Sequence, residues 1–100
     1  METTSGPVPP GVGQITLRYW ASAKALAGVG EEQVAVTGPV TLAWLIEDAV
    51  SRLGAGSRLE KVLDTCSVLL GDEPVGTRDR ASVEVSPGQA VEFLPPFAGG

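Results

Sequence analysis

Val91-Glu92-Phe93-Leu94-Pro95-Pro96-Phe97-Ala98-Gly99-Gly100 decides how this chain is read. Its first residues alternate. Val91 and Phe93 share one side, Glu92 and Leu94 the other, which is the period of a strand. Pro95-Pro96 then keeps the backbone extended and removes two N–H donors. Gly99-Gly100 has no side chains, so it can thread a narrow channel and take backbone angles closed to other residues. From Phe97 to Gly100 the extended reach is roughly 13 Å. A strand that passes through a stiff diproline into a bare glycine pair reads as a carboxylate held out from a folded body. A carboxylate is a poor acyl donor until its oxygen becomes a leaving group. ATP can bring this about by forming an acyl-adenylate, which a sulfur or nitrogen nucleophile then attacks.

Outward from this stretch, Ser86-Pro87-Gly88-Gln89 is a tight turn and Ala90 to Leu94 the last strand. Val91 and Phe93 are its core candidates, which leaves Leu94 as an apolar residue facing outward just before the tail. Gln14-Ile15-Thr16-Leu17-Arg18-Tyr19-Trp20 alternates in the same way and makes the first strand. Ile15, Leu17 and Tyr19 face the core. Trp20 falls on the opposite face or at the strand's end, either as a contact surface or as a ring covered by a later loop. If the first and last strands pair, Trp20 and Leu94 share one surface, an apolar patch beside the exit of the tail.

Between these strands the pattern changes to that of helices. Ala21 to Gly28 is a short helix with a glycine C-cap, and Glu31 to Thr37 a second strand with Val34 and Val36 inward. Thr41 caps a helix from about Leu42 to Leu53. Leu42, Leu45, Ile46, Ala49, Val50 and Leu53 form its apolar face. Trp44 lies off that stripe. Gly54-Ala55-Gly56 ends the helix, and Ser57 caps a second one, Arg58 to about Asp64. Thr65 to Leu70 reads as a third strand. Gly71 to Gly76 is a turn in which Pro74 bars a central strand. Thr77 to Arg80 is a polar loop, and Ala81 to Val85 a short edge strand. Met1 to Gly13, rich in Gly, Pro, Ser and Thr, reads as a flexible leader, so the folded domain is expected over 14–100.

One hundred residues with 43% hydrophobic content fit one domain with a real core. The single cysteine, Cys66, allows no internal disulfide, which suits a reducing cytoplasm. No apolar run approaches a membrane span and no secretory signal is visible, so no membrane role is expected. Seven basic residues against 12 acidic ones give a net charge of −5, and the basic residues are scattered. That argues against nucleic acid, which needs a basic stripe. There is no histidine, so neither a Ser-His-Asp set nor a Cys-His pair can form. Cys66 reads as a small core residue. Ligands for a metal are absent as a set, and no nucleotide-binding glycine motif is present. No cofactor is expected to be bound. The chain has little means of catalysis of its own, and its reactive group is the Gly100 carboxylate, activated by another protein.

The order strand, strand, long helix, strands is an α+β, β-grasp pattern: a mixed sheet of four to five strands packed on one main helix. With the Gly-Gly end, the chain resembles the ubiquitin-like sulfur-carrier family, and within it the small subunits of molybdopterin synthases. The residues carrying the resemblance are Leu17-Arg18-Tyr19-Trp20-Ala21, Lys24-Ala25-Leu26-Ala27-Gly28, Gly71-Asp72-Glu73-Pro74-Val75 and the ending from Val91 to Gly100. The resemblance implies that an E1-like enzyme adenylates Gly100 with ATP and that a sulfur donor converts it to a thiocarboxylate. The tail Pro95, Pro96, Phe97, Ala98 and Gly99 then enters the large synthase subunit, in a heterotetramer, and sulfur passes to precursor Z. Trp20, Pro74 and Leu94 fall where the family keeps its apolar partner-binding surface. Phe97 departs from the smaller aliphatic residue usual there. A carrier for thiamine or cysteine biosynthesis, a protein modifier joined through Gly100 to lysines, and an interaction-only domain are the other readings.

Overall fold

The computed structural model describes residues 13–53 and 56–96. Its elements are β1 (Gly13–Tyr19), α1 (Ala21–Ala27), β2 (Glu31–Val36), β3 (Val40–Thr41), α2 (Leu42–Leu53), α3 (Gly56–Thr65), β4 (Ser67–Leu70), β5 (Glu73–Pro74), a 3-10 turn (Arg80–Ser82), β6 (Glu84–Val85) and β7 (Ala90–Leu94). Five strands form one mixed sheet in the order β2-β1-β7-β4-β5, and β3 pairs with β6 in a separate two-stranded ribbon. The two ends of the domain meet in the middle of the sheet. β1 runs parallel to β7, with Leu17 opposite Val91 and Tyr19 opposite Phe93. β4 lies antiparallel on the other side of β7, with Val68 opposite Phe93 and Ser67 opposite Leu94. This is the ubiquitin-like β-grasp fold.

The alternation read in the sequence becomes burial. Ile15, Leu17, Tyr19, Val34, Val36, Val68, Val91 and Phe93 all point into the core. There they meet Leu42, Leu45, Ile46 and Ala49 of α2, Leu59 and Leu63 of α3, and Ala23 and Ala27 of α1. Tyr19 and Phe93 stack, with ring centroids 5.6 Å apart, an arrangement that adds to the area they bury. Thr41 caps α2 as expected, its Oγ1 accepting from the Trp44 N–H at 3.0 Å. Gly28 ends α1 at φ +81°, a left-handed conformation that a side chain resists.

Several boundaries differ from expectation, each for a local reason. Gly13 belongs to β1, opposite Val36. A Cβ there would stand 2.6 Å from Cβ of Pro87, so only glycine lets the strand start against that turn. The rest of the expected leader, residues 1–12, lies outside the described residues. The third strand begins at Ser67, because α3 runs on through Thr65. The Arg80 guanidinium donates to the carbonyls of Leu63 (2.8 Å) and Cys66 (3.0 Å), satisfying groups that a helix end leaves open. Gly56 and Ser57 lie inside α3 rather than ending one helix and capping the next. The fully buried Leu59 and Leu63 fix this helix, and propensity yields to packing. Of the edge strand expected over Ala81 to Val85, only Glu84–Val85 pairs as a strand. The Asp79 carboxylate accepts from the Ala81 N–H and turns the chain into the 3-10 segment first. Pro74 sits in a two-residue strand at the sheet's outer edge, where its missing N–H costs nothing.

Candidate docking face at the root of the tail

The sheet buries one face under the helices and leaves the other open, so the outward residues of β1, β4 and β7 are the candidates for function. Across the open face, Leu94 stands opposite Ser67 and Glu92 opposite Leu69. Pro74 lies opposite Leu69 on the next strand out, and Arg18 stands opposite Glu92 on the other side.

Trp20 follows β1 directly and begins α1. Its N–H donates to the Phe93 carbonyl at 3.2 Å, and its carbonyl accepts from the N–H groups of Ala23 and Lys24. The ring stays 49% exposed. Its indole N–H donates to Glu92 Oε1 at 2.9 Å, which fixes the ring's orientation. Ala21 behind it has φ +51°, a left-handed conformation unusual for a residue with a Cβ. Strain of this kind persists only where the surroundings impose it. Here the backbone bonds of Trp20 on both sides leave the chain little choice.

Trp20, Ala21, Ser67, Leu69, Leu94, Pro95 and Pro96 line an open cleft of about 530 Å³. The structure thus brings together four of the expected residues, Trp20, Leu94, Pro95 and Pro96. Pro74 is exposed on the same open face beside Leu69, outside the cleft lining. The expected tail residues Phe97, Ala98, Gly99 and Gly100 lie outside the described residues. Leu69, Ser67, Ala21 and Glu92 were not singled out in the sequence. Leu69 carried a signal, since it alternates with Val68 in the same strand. Glu92 carried none until the parallel register set it against Arg18 and beneath Trp20.

Residues 17–100 match the model of the ThiS family. The chain is also 34% identical to the molybdopterin synthase sulfur carrier subunit of Aspergillus niger over 84 residues, covering 84% of this chain and 91% of that protein. This chain belongs to the ThiS family of ubiquitin-like sulfur carriers. Solved structures agree on the fold. The solution structure of the Haloferax volcanii HVO 2177 protein matches with a TM-score of 0.72 at 22% identity, over 95% of this chain and 93% of that one. The solution structure of small archaeal modifier protein 1 from Methanosarcina acetivorans matches with a TM-score of 0.69 at 13% identity, over 89% and 98%.

On this member of the family the open face is divided. The half towards β4 and β5 is apolar. The half towards β2 carries an ion pair of Arg18 Nε with Glu31 at 3.0 Å and a longer one of Arg18 with Glu92 at 3.6 Å. Thr16 Oγ1 and Gln33 Oε1 stand 3.0 Å apart beyond them. Glu92 therefore marks the border, with one oxygen on Trp20 and the other towards Arg18. Such exposed pairs contribute little stability but define what a partner must match.

A second polar group lies at the core's margin. The Tyr19 hydroxyl donates to Glu32 at 2.6 Å, and Arg52 of α2 donates to both oxygens of the same carboxylate. Burial, then the Glu32 bond, raises the Tyr19 hydroxyl far above its usual range. Burial also opposes ionisation of Glu32, but the bonds from Arg52 and Tyr19 outweigh it and hold the carboxyl below its ordinary value. The group ties β1, β2 and α2 together. Cys66 is buried, and burial pushes its thiol up to about 11 against the opposing charge of Arg80. A thiol so poorly ionised at neutral pH is a core residue, not a nucleophile. Among the described residues no group of His, Cys, Asp and Glu is placed to hold a metal ion, and no helix is long and apolar enough to cross a membrane.

Proposed function

We propose that this protein is the sulfur-carrying small subunit of a molybdopterin synthase, acting in the cytoplasm through the carboxylate of Gly100. One observation carries this reading. Leu94, the last residue of β7, and Pro95 and Pro96, the first residues of the tail, line the open apolar cleft. A partner that covers the cleft therefore receives the tail that leaves it. The 34% identity to the carrier subunit of A. niger supports the same reading.

The chemistry is that of an activated acyl group. An oxygen of the Gly100 carboxylate attacks the α-phosphorus of ATP, held by an E1-like activating enzyme, and pyrophosphate leaves. Hydrosulfide, or the persulfide of a sulfur donor followed by reduction with a thiol, attacks the acyl carbon, and AMP leaves with the former carboxylate oxygen. The product is a thiocarboxylate. The large synthase subunit then docks on Trp20, Leu94 and the neighbouring Pro74. Pro95, Pro96, Phe97, Ala98 and Gly99 carry the sulfur into its active site. Transfer to precursor Z and hydrolysis by water return the carboxylate. Two such carriers on two large subunits make a heterotetramer. The carrier itself contributes position: the apolar cleft binds, the diproline aims, and the glycines fit. It needs no bound cofactor, since ATP belongs to the activating enzyme.

The test is intact mass after incubation with ATP, the activating enzyme and sulfide. A gain of about 16 Da, one oxygen replaced by sulfur at an activated acyl carbon, is the expected result. Thiocarboxylated protein mixed with the large subunit and precursor Z should then yield the dithiolene product. No mass gain with an enzyme active on another carrier would overturn the tail mechanism. A mass gain without product would move the protein to another carrier pathway. Isopeptide-linked adducts on lysines in cells would make it a modifier.

A further inference from the structure

Trp44 takes no part in the face at the root of the tail. It lies in the first turn of α2 and is 42% exposed. The ring separates two shallow grooves. One, of about 240 Å³, is lined by Trp44 with Ala35, Val36, Thr37 and Val40. The other runs along Gln33, Val34 and Ala35 towards Asp48 and Arg52. Both follow β2, which is the terminal strand of its sheet and has no strand beyond it among the described residues. A row of open backbone groups beside an exposed aromatic ring is a template for unwanted pairing, and folded chains cover such edges.

The first described residue of β1 lies next to this groove. Gly13, the first described residue, stands opposite Val36, and Val36 lines the first groove. β1 and β2 are antiparallel, so β1 begins at the Val36 end of β2. One strand spacing, roughly 4.8 Å, separates β1 from β2. The residues that precede Gly13 in sequence are Pro7-Val8-Pro9-Pro10-Gly11-Val12. Extended, six residues cover about 19 Å, several times that spacing. Prolines have few conformations to lose on docking, and grooves lined by aromatic rings are the common acceptors of proline-rich segments. The segment carries no charge, and neither do the five residues lining the first groove. Proline also lacks the N–H that would extend a strand, so a proline-rich cover closes the edge instead of prolonging it. A second copy of the chain is the less suitable occupant, because it would bring one net charge of −5 against another.

We propose that Pro7–Val12 docks in cis on the Trp44 groove and covers the outer edge of β2. The test uses the full-length protein and a full-length variant with Pro7, Val8, Pro9 and Pro10 all replaced by serine. NMR resolves the two indole N–H signals, assigned with Trp20→Phe and Trp44→Phe. A soluble paramagnetic agent then reports how accessible each ring is. If the segment covers about half of the exposed ring, accessibility of Trp44 rises roughly twofold in the serine variant. Trp20 stays unchanged, and the difference is the same at all protein concentrations. Cross-relaxation between proline Hδ protons and the Trp44 ring appears in the native chain alone. Equal accessibility of Trp44 in both proteins overturns the proposal. Protection that grows with protein concentration overturns it in favour of a second copy. A similar change at Trp20 marks general loosening and overturns it too.

Discussion

Val91 and Phe93 on one face of β7 are fully buried, whereas Glu92 and Leu94, each one step along the same strand, stay partly open. The inward pair meets the helices and the Tyr19 ring. The outward pair meets Trp20, Arg18 and the space a partner would fill. These four residues thus serve the core and the open face at once, because a strand's alternation keeps the two faces apart.

Substitutions on the two faces should separate these tasks. Phe93→Ala removes the ring stacked on Tyr19 from a fully buried site and should cost about 3–5 kcal/mol, read as a lowered urea midpoint. Leu94→Asp should leave the urea midpoint within about 1 kcal/mol of native, since the site is at the surface. Its binding to the large subunit, measured by calorimetry, should weaken by about 2 kcal/mol, the loss expected at the centre of an apolar contact. A large loss of stability in this variant would show that the two faces are not independent. Glu92→Ala should act more gently. It frees the Trp20 indole and one partner of Arg18, and about 1 kcal/mol of affinity should go with the lost hydrogen bond. Faster ring motion by fluorescence anisotropy should accompany it.

The smallest effect contrasts two carboxylates, Glu92 on the open face and Glu32 at the core margin. The folded-state pKa of Glu32 is depressed. Its contribution is therefore complete above the ordinary glutamate value of 4.5 and disappears as pH falls through the folded value. Wild type and Glu32→Gln should differ in urea midpoint at neutral pH and converge as pH falls below the ordinary glutamate value. Divergence at low pH would contradict the assigned sign.

Most of the fold could be read before any coordinates. β1, α2 and β7 each have a clear apolar period, and Thr41, the turn before Ala90 and Gly28 mark the starts of α2 and β7 and the end of α1 with residues suited to those geometries. The ribbon of β3 and β6 was not legible, since two-residue strands have no period and form only because Val85 meets Val40 across the chain. The end of α3 was missed because Arg80, well beyond it, supplies the cap. For the site, Trp20 and Leu94 were visible as apolar residues on the wrong side of their strands. Leu69 and Glu92 needed the register, which local sequence does not set. Trp44 was seen to lie off the stripe of α2, but the groove beside it depends on which strand ends the sheet.

β7 occupies the centre of the sheet although it is made of the last residues before the tail. During synthesis, therefore, β1 has no parallel neighbour and β4 has none on that side until the ribosome has translated Ala90–Leu94. A chain cut short before Ala90 would lack the strand that joins the two halves of the sheet. It would remain open to proteases and chaperones. Folding of the sheet thus waits on one late strand: the domain closes only after the strand that leads to Pro95 and Pro96 has been made.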